Sequence, residues 1–380
     1  MDANPCQRRS HMQTNIVAFV LLLLTLLATP VLAATADLLK AKKEAEAKGY
    51  IFLTSHDEIV GMAKKEGKLR VDNRLNPPNY KPLISGFKEK YPFVTDISVE
   101  ELQGQEAFRR YLLEIKAGQA KGDVVLVSLS VGGEYMPHMK KYDILGMANH
   151  SVLKIDPRMI HPVRRNVMGV LSTVTLVPYN KKLISEDKVP AKWEEFLKPE
   201  FKGKKFVVNI SPTDVVPLVS AWGLEKTLDF SRKIAAQQPV WGSGSTSTTA
   251  VILSGEYPLL LSSTHNIVKR LMMKDPTGNF SYKIVEPVPT KIVDDATGVL
   301  DTADHPHVAL LWLEFLASPE AQEIIDKYDP LSASVLSPNS AAAQLVRGKN
   351  LSALDWTYVD RFIEYRDKII EAYGFPKADK

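Results

Sequence analysis

Residues 241–256, WGSGSTSTTAVILSGE, concentrate hydroxyl groups just before a short apolar segment. Two glycines and six serines or threonines lie between Gly242 and Thr249. Flexible backbone carrying so many small polar side chains cannot build a hydrophobic core. Its hydroxyl and backbone N–H groups could instead donate hydrogen bonds to the oxygen atoms of a ligand. The stretch therefore predicts the lip of a polar binding site, with a solvated loop as the alternative.

Small polar residues also follow four apolar segments that read as strands. They are Asn73-Arg74, Ser128–Ser130, Ser211–Thr213 and Ser262-Ser263. In open parallel sheets, ligands bind beyond the carboxyl ends of the strands, and the helices that begin there favour anions. Each residue alone could be an ordinary helix cap, but together they predict a shared cleft. The candidate ligand-binding residues are Asn73, Arg74, Ser128, Ser130, Ser211, Thr213, Ser243, Ser245, Thr246, Ser263 and His265.

Other motifs give little support for catalysis or for a metal site. Ser151–Lys154 and Ser185–Lys188 match the S-x-x-K of some acyl-transfer enzymes, but neither has a partner motif. His305 and His307 are two residues apart, a spacing that a helix directs to different faces. No pair of a base and a nucleophile is evident among the cleft candidates, so we predict a protein that is not an enzyme, with no cofactor and no metal.

The elements that must position these residues alternate between strands and helices. Ser55–Glu58 has the form of a capping box that starts a helix, and Gly67 is placed to end it. Val94–Val99 alternates like a strand, and Asp123–Val127 reads as a buried one. Gly169–Val177 reads as a long β-branched strand. This alternation predicts an α/β fold with mostly parallel sheet built from βαβ units.

The N-terminal segment has the pattern of a secretory signal. Arg8 and Arg9 precede the apolar run Ile16–Leu27, and Val31–Ala33 then offers small residues for cleavage. We predict a signal peptide over residues 1–33, with an uncleaved anchor as the alternative. The single cysteine, Cys6, lies inside this segment, which suits export without disulfides. A net charge of +4 is too small an excess to indicate nucleic acid as a partner.

Several segments of the chain, in order and spacing, resemble the periplasmic solute-binding proteins that serve ABC importers, in the branch that includes ferric-iron-binding proteins. The resemblance covers roughly residues 55–330. The matching segments are LISGFKEKYP at Leu83–Pro92, EIKAGQAKGDVVLV at Glu114–Val127, Val177–Asn180, Pro190–Trp193, Phe201–Lys205, Leu253–Glu256 and Phe315–Gln322.

The resemblance implies a type II periplasmic-binding fold of two α/β lobes joined by two hinge crossings, at Gly169–Val177 and Tyr282–Pro289. Lobe 1 would comprise residues 34–170 and 289–335. Lobe 2 would comprise residues 171–288 and 336–380, including the C-terminal helices. The cleft between the lobes would collect the strand-end loops.

The resemblance also implies a function. The chain would be a monomeric periplasmic receptor that binds a small-molecule ligand and delivers it to an inner-membrane ABC permease. Ferric-binding members carry adjacent tyrosines after the Gly-Glu motif, whereas Leu261–Lys269 here contains none. Neutral donors with Arg74 favour an anion such as a phosphate ester or organic acid. Ferric iron, a polyamine, a sensor protein as partner and a secreted enzyme remain alternatives.

Overall fold

A computed structural model of the protein describes residues 36–75, 77–102, 104–328 and 332–375. The predicted signal peptide, residues 1–33, lies outside these ranges. In the part of the chain that the structure describes, no helix is both long enough and apolar enough to cross a membrane.

The strands are short and are spread along the chain. They are β1 Lys68–Asn73, β2 Asp96–Glu101, β3 Val124–Ser128, β4 Thr173–Asn180, β5 Val207–Asn209, β6 Val240–Gly242, β7 Ser263–Thr264, β8 Phe280–Lys283, β9 Val288–Lys291, β10 Asp295–Val299 and β11 Leu351–Leu354.

Helices fill most of the intervals between strands. They are α1 at 36–47, α2 His56–Glu66, α3 Tyr80–Lys90, α4 Gly104–Lys116, α5 Leu129–Tyr135, α6 Ile144–Asn149, α7 Leu218–Trp222, α8 Leu224–Ala236, α9 Ser245–Leu253, α10 His265–Met272, α11 Pro306–Ala317, α12 Pro319–Tyr328, α13 Ala341–Leu345, α14 Trp356–Val359 and α15 Phe362–Ala372. Short 3₁₀ turns lie at Pro77–Asn79, Met136–His138, Pro157–Met159, Glu186–Lys188, Trp193–Leu197 and Pro199–Phe201.

The first sheet has the strand order β10-β3-β1-β2. β1, β2 and β3 are parallel, and β10 returns antiparallel beside β3. The polar residues at the ends of β1 and β3 therefore meet at one edge of this sheet, as predicted. Apart from Glu314, helix α11 is apolar on every side from Val308 to Leu316 and is buried there, because it runs through the core of this lobe.

The second sheet has the order β11-β9-β4-β7, with β8 also paired to β4. The α/β class is confirmed, but this sheet is mixed rather than mostly parallel. β4 runs antiparallel to β7, β8 and β9. The reason is the path of the chain: β4 carries it away from the first lobe and β9 carries it back, so the two strands run in opposite directions. β5 and β6 form a separate parallel pair.

Three segments of the described chain link the core of the first lobe to that of the second, at 170–173, 291–294 and 332–340. The first two correspond to the two hinge crossings that the family resemblance implied. The first lies inside the predicted Gly169–Val177. The second comes after β9, a few residues later than the predicted Tyr282–Pro289, which lies within the second lobe. The third connects α12 to α13 and was not predicted.

The buried Ser172 holds the three crossings together. Its hydroxyl donates to the carbonyl oxygen of Ile292 at 2.6 Å and accepts from the N–H of Val335 at 3.0 Å. Its own N–H donates to the carbonyl oxygen of Ser332 at 3.3 Å. The three crossings are therefore hydrogen-bonded to one another through Ser172.

The last described segment, residues 351–375, touches both lobes. β11 pairs with β9, and α15 packs with α8, both in the second lobe. Between them, Trp356 and Val359 of α14 are buried in a first-lobe cluster that includes Phe108. We name residues 351–375 the C-terminal strap, because this segment bridges the two lobes on one side.

Candidate functional site

The cleft between the lobes contains two adjoining cavities, of 380 and 300 Å³. Both lobes and the crossings contribute to the walls. The residues that line both cavities are Arg74, Ser128, Ser130, Thr173, Asn266, Arg270 and Asp294.

Several of these residues lie at the carboxyl ends of strands and in the first turns of helices, which meet at the cleft. Arg74 directly follows β1. Ser128 ends β3 and caps α5, accepting a hydrogen bond from the N–H of Ser130 at 3.4 Å. Across the cleft, Asn266 lies in the first turn of α10, and Ser245 begins α9 beside the second cavity. Such helix starts present N–H groups and a positive dipole to the cavity, which favours anions.

A basic side chain from each lobe shares one carboxylate at the second crossing. The guanidinium of Arg74 donates to the backbone oxygen of Asp294 at 3.0 Å and lies 3.8 Å from its carboxylate. The ammonium group of Lys291 lies 2.5 Å from the other carboxylate oxygen. Burial acts to raise the pKa of Asp294, but the charges of Lys291 and Arg74 outweigh burial and lower the pKa. Asp294 is therefore ionised, and this group of three carries a net positive charge.

The neighbouring carboxylate, Asp295, has a structural role. It is fully buried and accepts hydrogen bonds from the N–H groups of Val170 and Leu171, at 3.0 and 2.7 Å. Burial raises its pKa to about 7. Asp295 thus ties the first crossing to β10.

The second cavity also contains an acidic residue from the second lobe. Asp214 lines it together with Thr213, Ser245, Lys291 and Phe362. Asp214 is only 4% exposed, and burial raises the pKa of its carboxyl group despite the nearby charge of Lys291. The cleft therefore has a strongly basic part and a less basic part.

The hydroxyl-rich stretch that opened the sequence analysis is helical. α9 begins at Ser245, inside the run of hydroxyl residues for which a site lip or a solvated loop was predicted. The hydroxyls of Ser247 and Thr249 donate to the carbonyl oxygens of Ser243 and Ser245, both at 2.7 Å. These two hydroxyls therefore bond backbone carbonyl oxygens at the start of α9. Of this stretch, Ser245 is the residue placed along the second cavity.

Five predicted residues line the cavities: Arg74, Ser128, Ser130, Thr213 and Ser245. The other six lie away from both linings as described. Ser211, Ser243 and Thr246 are exposed and are not among the residues that line the two cavities.

The remaining three are buried and engaged in structure. Asn73 accepts from the N–H of Leu75 at 2.8 Å, and Ser263 bonds the hydroxyl of Thr249 at 2.7 Å. His265 is fully buried and accepts from the N–H of Val174 at 2.9 Å. These side chains fix loop, helix and strand positions rather than face the cavity.

The sequence reasoning missed Thr173, Asn266, Arg270, Lys291, Asp294 and Asp214. Asn266 and Arg270 had a usable signal, because they lie four residues apart on the helix that follows the predicted Ser262-Ser263 strand end. Asp214 directly follows the predicted Thr213. No sequence signal pointed to Lys291 and Asp294, because they belong to a crossing whose position depends on the pairing of β9. Among the described residues, no cluster of three or more His, Cys, Asp or Glu could hold a metal ion.

The sequence matches a known protein family. Residues 131–361 match the family described as bacterial extracellular solute-binding protein. A comparison with curated proteins gave no match.

Solved structures of the same fold cover most of the chain. An iron- and citrate-bound protein from Trichodesmium (IdiA, FutA) is 16% identical, with a TM-score of 0.62 over 81% of this chain and 100% of that one. The apo ferric ion-binding protein A of Pasteurella haemolytica is 15% identical, with 0.62 over 80% and 98%. An ABC-transporter substrate-binding protein from Agrobacterium tumefaciens is 19% identical, with 0.55 over 80% and 95%.

Proposed function

This chain belongs to the family of bacterial extracellular solute-binding proteins, and on that premise we propose that it captures a small anionic solute between its lobes. The captured solute would then be delivered to an ABC permease in the inner membrane. We place the receptor in the periplasm, as a monomer. The name of the Agrobacterium structure supports the transporter connection.

The observation that carries the anion preference is the convergence of Arg74, Arg270 and Lys291 on one cleft. The carboxylate of Asp294 offsets one of these positive charges. Asp214 offsets less, because burial raises its pKa and so favours its neutral form. Hydroxyls of Ser128, Ser130 and Thr173 and the start of α10 surround the same space. A charge-assisted hydrogen bond to an anion is worth about 1.5–3 kcal/mol, so three of them contribute about 4.5–9 kcal/mol, to be compared with the roughly 8 kcal/mol of a micromolar dissociation constant.

The test is a thermal-shift screen of purified protein against sugar phosphates, phosphonates, organic acids, polyamines and ferric salts, followed by calorimetry. We expect phosphonates or organic acids to raise the melting temperature by mass action. Stabilisation by polyamines alone would contradict the anion receptor. Turnover of any hit would favour the enzyme alternative.

Ferric iron is the second candidate, because two of the similar structures are ferric-binding or iron-bound proteins. Phenolate and carboxylate oxygens are the hard ligands that suit this ion. The described residues that line the two cavities include Asp214 and Asp294 but no tyrosine. We therefore expect the protein to stay colourless with ferric salts. A visible phenolate-to-iron absorption band would restore the iron receptor.

A further inference from the structure

The two cavities differ at their outer ends. The end that belongs to the first cavity is partly apolar, with Leu75, Leu102 and Phe108. The end that belongs to the second contains Asp214, Thr213 and Ser245. The basic side chains of Arg74 and Arg270 lie in the part that both cavities share. A solute that fills this space meets positive charge in the middle and a carboxylate at one end.

Asp214 lacks the countercharge that a buried carboxylate needs. Its carboxylate accepts one long hydrogen bond, 3.4 Å from the hydroxyl of Thr213, and no ion pair to it is found among the described residues. The ammonium group of Lys291 is instead held by Asp294, at 2.5 Å. A buried carboxylate without a paired cation is costly, and burial accordingly raises the pKa of Asp214.

The position of Asp214 is fixed by the fold. Its backbone oxygen accepts from the hydroxyl of Thr175 on β4 at 3.1 Å. Phe362 lines the same cavity, and the ammonium group of Lys291 lies 6.0 Å from the centre of its ring, as expected of an aromatic face that attracts cations. Ser245 and Thr213 add hydroxyl oxygens that can accept from an ammonium group. A cationic group of a ligand would thus find a carboxylate, hydroxyl oxygens and a ring within one small volume.

We infer that the cleft takes an amphoteric solute, whose anionic oxygen group lies between Arg74 and Arg270 and whose ammonium group lies against Asp214. The inference rests on the proposed function and narrows the class of its ligand. The ammonium group would supply the missing countercharge of Asp214. Lys291 is ion-paired with Asp294 at 2.5 Å, which reduces its repulsion of the ligand's ammonium group.

The test compares matched solutes by calorimetry at pH 7. The probes are ω-amino carboxylates of three to six carbons, 2-aminoethylphosphonate and 3-aminopropylphosphonate. Each is paired with the acid that lacks the amino group and the amine that lacks the acid. We expect at least one amphoteric probe to bind about tenfold more tightly than its acid, and the amines to bind least.

Two variants test whether Asp214 causes the preference for amphoteric probes. Asp214→Asn should lower the affinity for the preferred amphoteric probe by about ten- to hundredfold, and lower that for the matched acid far less. The control is Asp304→Asn, at an exposed carboxylate paired to Arg70 at 3.0 Å on the first lobe. It should change neither affinity. Thermal melting without ligand checks folding, and Asp214→Asn should melt no lower than the parent because a buried charge is removed.

The outcomes separate the two hypotheses. Equal affinity for an amphoteric probe and its acid would overturn the amphoteric assignment and leave the anion receptor standing. So would a preference for the amphoteric probe that survives Asp214→Asn. Binding of amines without binding of acids would overturn the anion receptor itself. Failure of every probe in the series overturns the amphoteric assignment, and the anion receptor is then decided by the sugar phosphates and organic acids of the thermal-shift screen.

Discussion

Arg74 is held in place before a ligand arrives, since its guanidinium bonds the backbone of Asp294 at 3.0 Å. A preorganised donor loses little freedom on binding. Arg74→Ala should therefore weaken anion binding by about ten- to hundredfold in calorimetry. Arg110→Ala is the control, because Arg110 is an exposed partner of Glu100 and Glu114. Equal affinities in the parent and Arg74→Ala would remove Arg74 from the site.

Asp72 gives a prediction about pH. It is buried and accepts a hydrogen bond from the hydroxyl of Tyr111, and burial raises its pKa to about 7. The folded protein therefore prefers the protonated acid, and its contribution to stability is lost as pH rises through 7. Asp72→Asn should raise the free energy of unfolding by about 2 kcal/mol more at pH 8 than at pH 5.

Urea denaturation at the two pH values measures this difference. Asp304→Asn, on an exposed side chain, should show the same effect at both. A stability gain from Asp72→Asn that does not depend on pH would mean that Asp72 is ionised throughout this range.

At this scale the sequence identified residues that follow strands and missed those that depend on long-range pairing. Arg74 and Ser128 were predictable because each directly follows an apolar strand. Asn73 and His265 lie outside the linings of the two cavities, and a sequence pattern does not show whether a polar side chain turns into the cleft or into the backbone. Their hydrogen bonds to Leu75 and Val174 decide this, and Val174 is distant in the chain from His265.

At the scale of elements, helix α2 shows how glycines act by position. Gly67 ends the helix in the left-handed conformation, with φ of 65°. Gly61 lies in the exposed middle of the same helix, and a Cβ there would meet nothing within 4 Å. Gly67→Ala should destabilise the protein by about 1 kcal/mol, whereas Gly61→Ala should stabilise it by about 0.5–1 kcal/mol.

Thermal or urea unfolding of the two variants measures the pair, and each serves as the other's control. Opposite signs are the expected result. A destabilising Gly61→Ala would indicate that this turn of α2 packs against something beyond its described neighbours.

Element prediction succeeded where local chemistry decides. Ser55 caps α2 by accepting from the N–H of Asp57, and Gly67 ends the helix as the sequence predicted. It failed for α9, because Ser and Thr weakly favour loops, while here their hydroxyls bond back to the helix carbonyls. The mixed second sheet could not be predicted either, since strand direction there follows from the crossings.

At the scale of the whole molecule, a ligand that contacts both lobes should favour a closed form. Few backbone torsions need to change in the crossings. A solute that binds should reduce the radius of gyration in solution scattering and raise the melting temperature together. The matched control is Arg74→Ala with the same solute, at a concentration that leaves it unbound. Stabilisation without compaction would contradict the hinge.

The C-terminal strap gives the chain a built-in optical probe. Trp356 is buried against the first lobe, with its ring 5.0 Å from that of His161, yet it lies between two elements of the second lobe. The other four tryptophans each pack within a single lobe: Trp312 in the first, and Trp193, Trp222 and Trp241 in the second. The emission of the Trp356 indole therefore depends on the angle between the lobes, while the others give a steady background. Unlabelled protein can thus serve as a fluorescent sensor for its own solute, whatever that solute's chemistry.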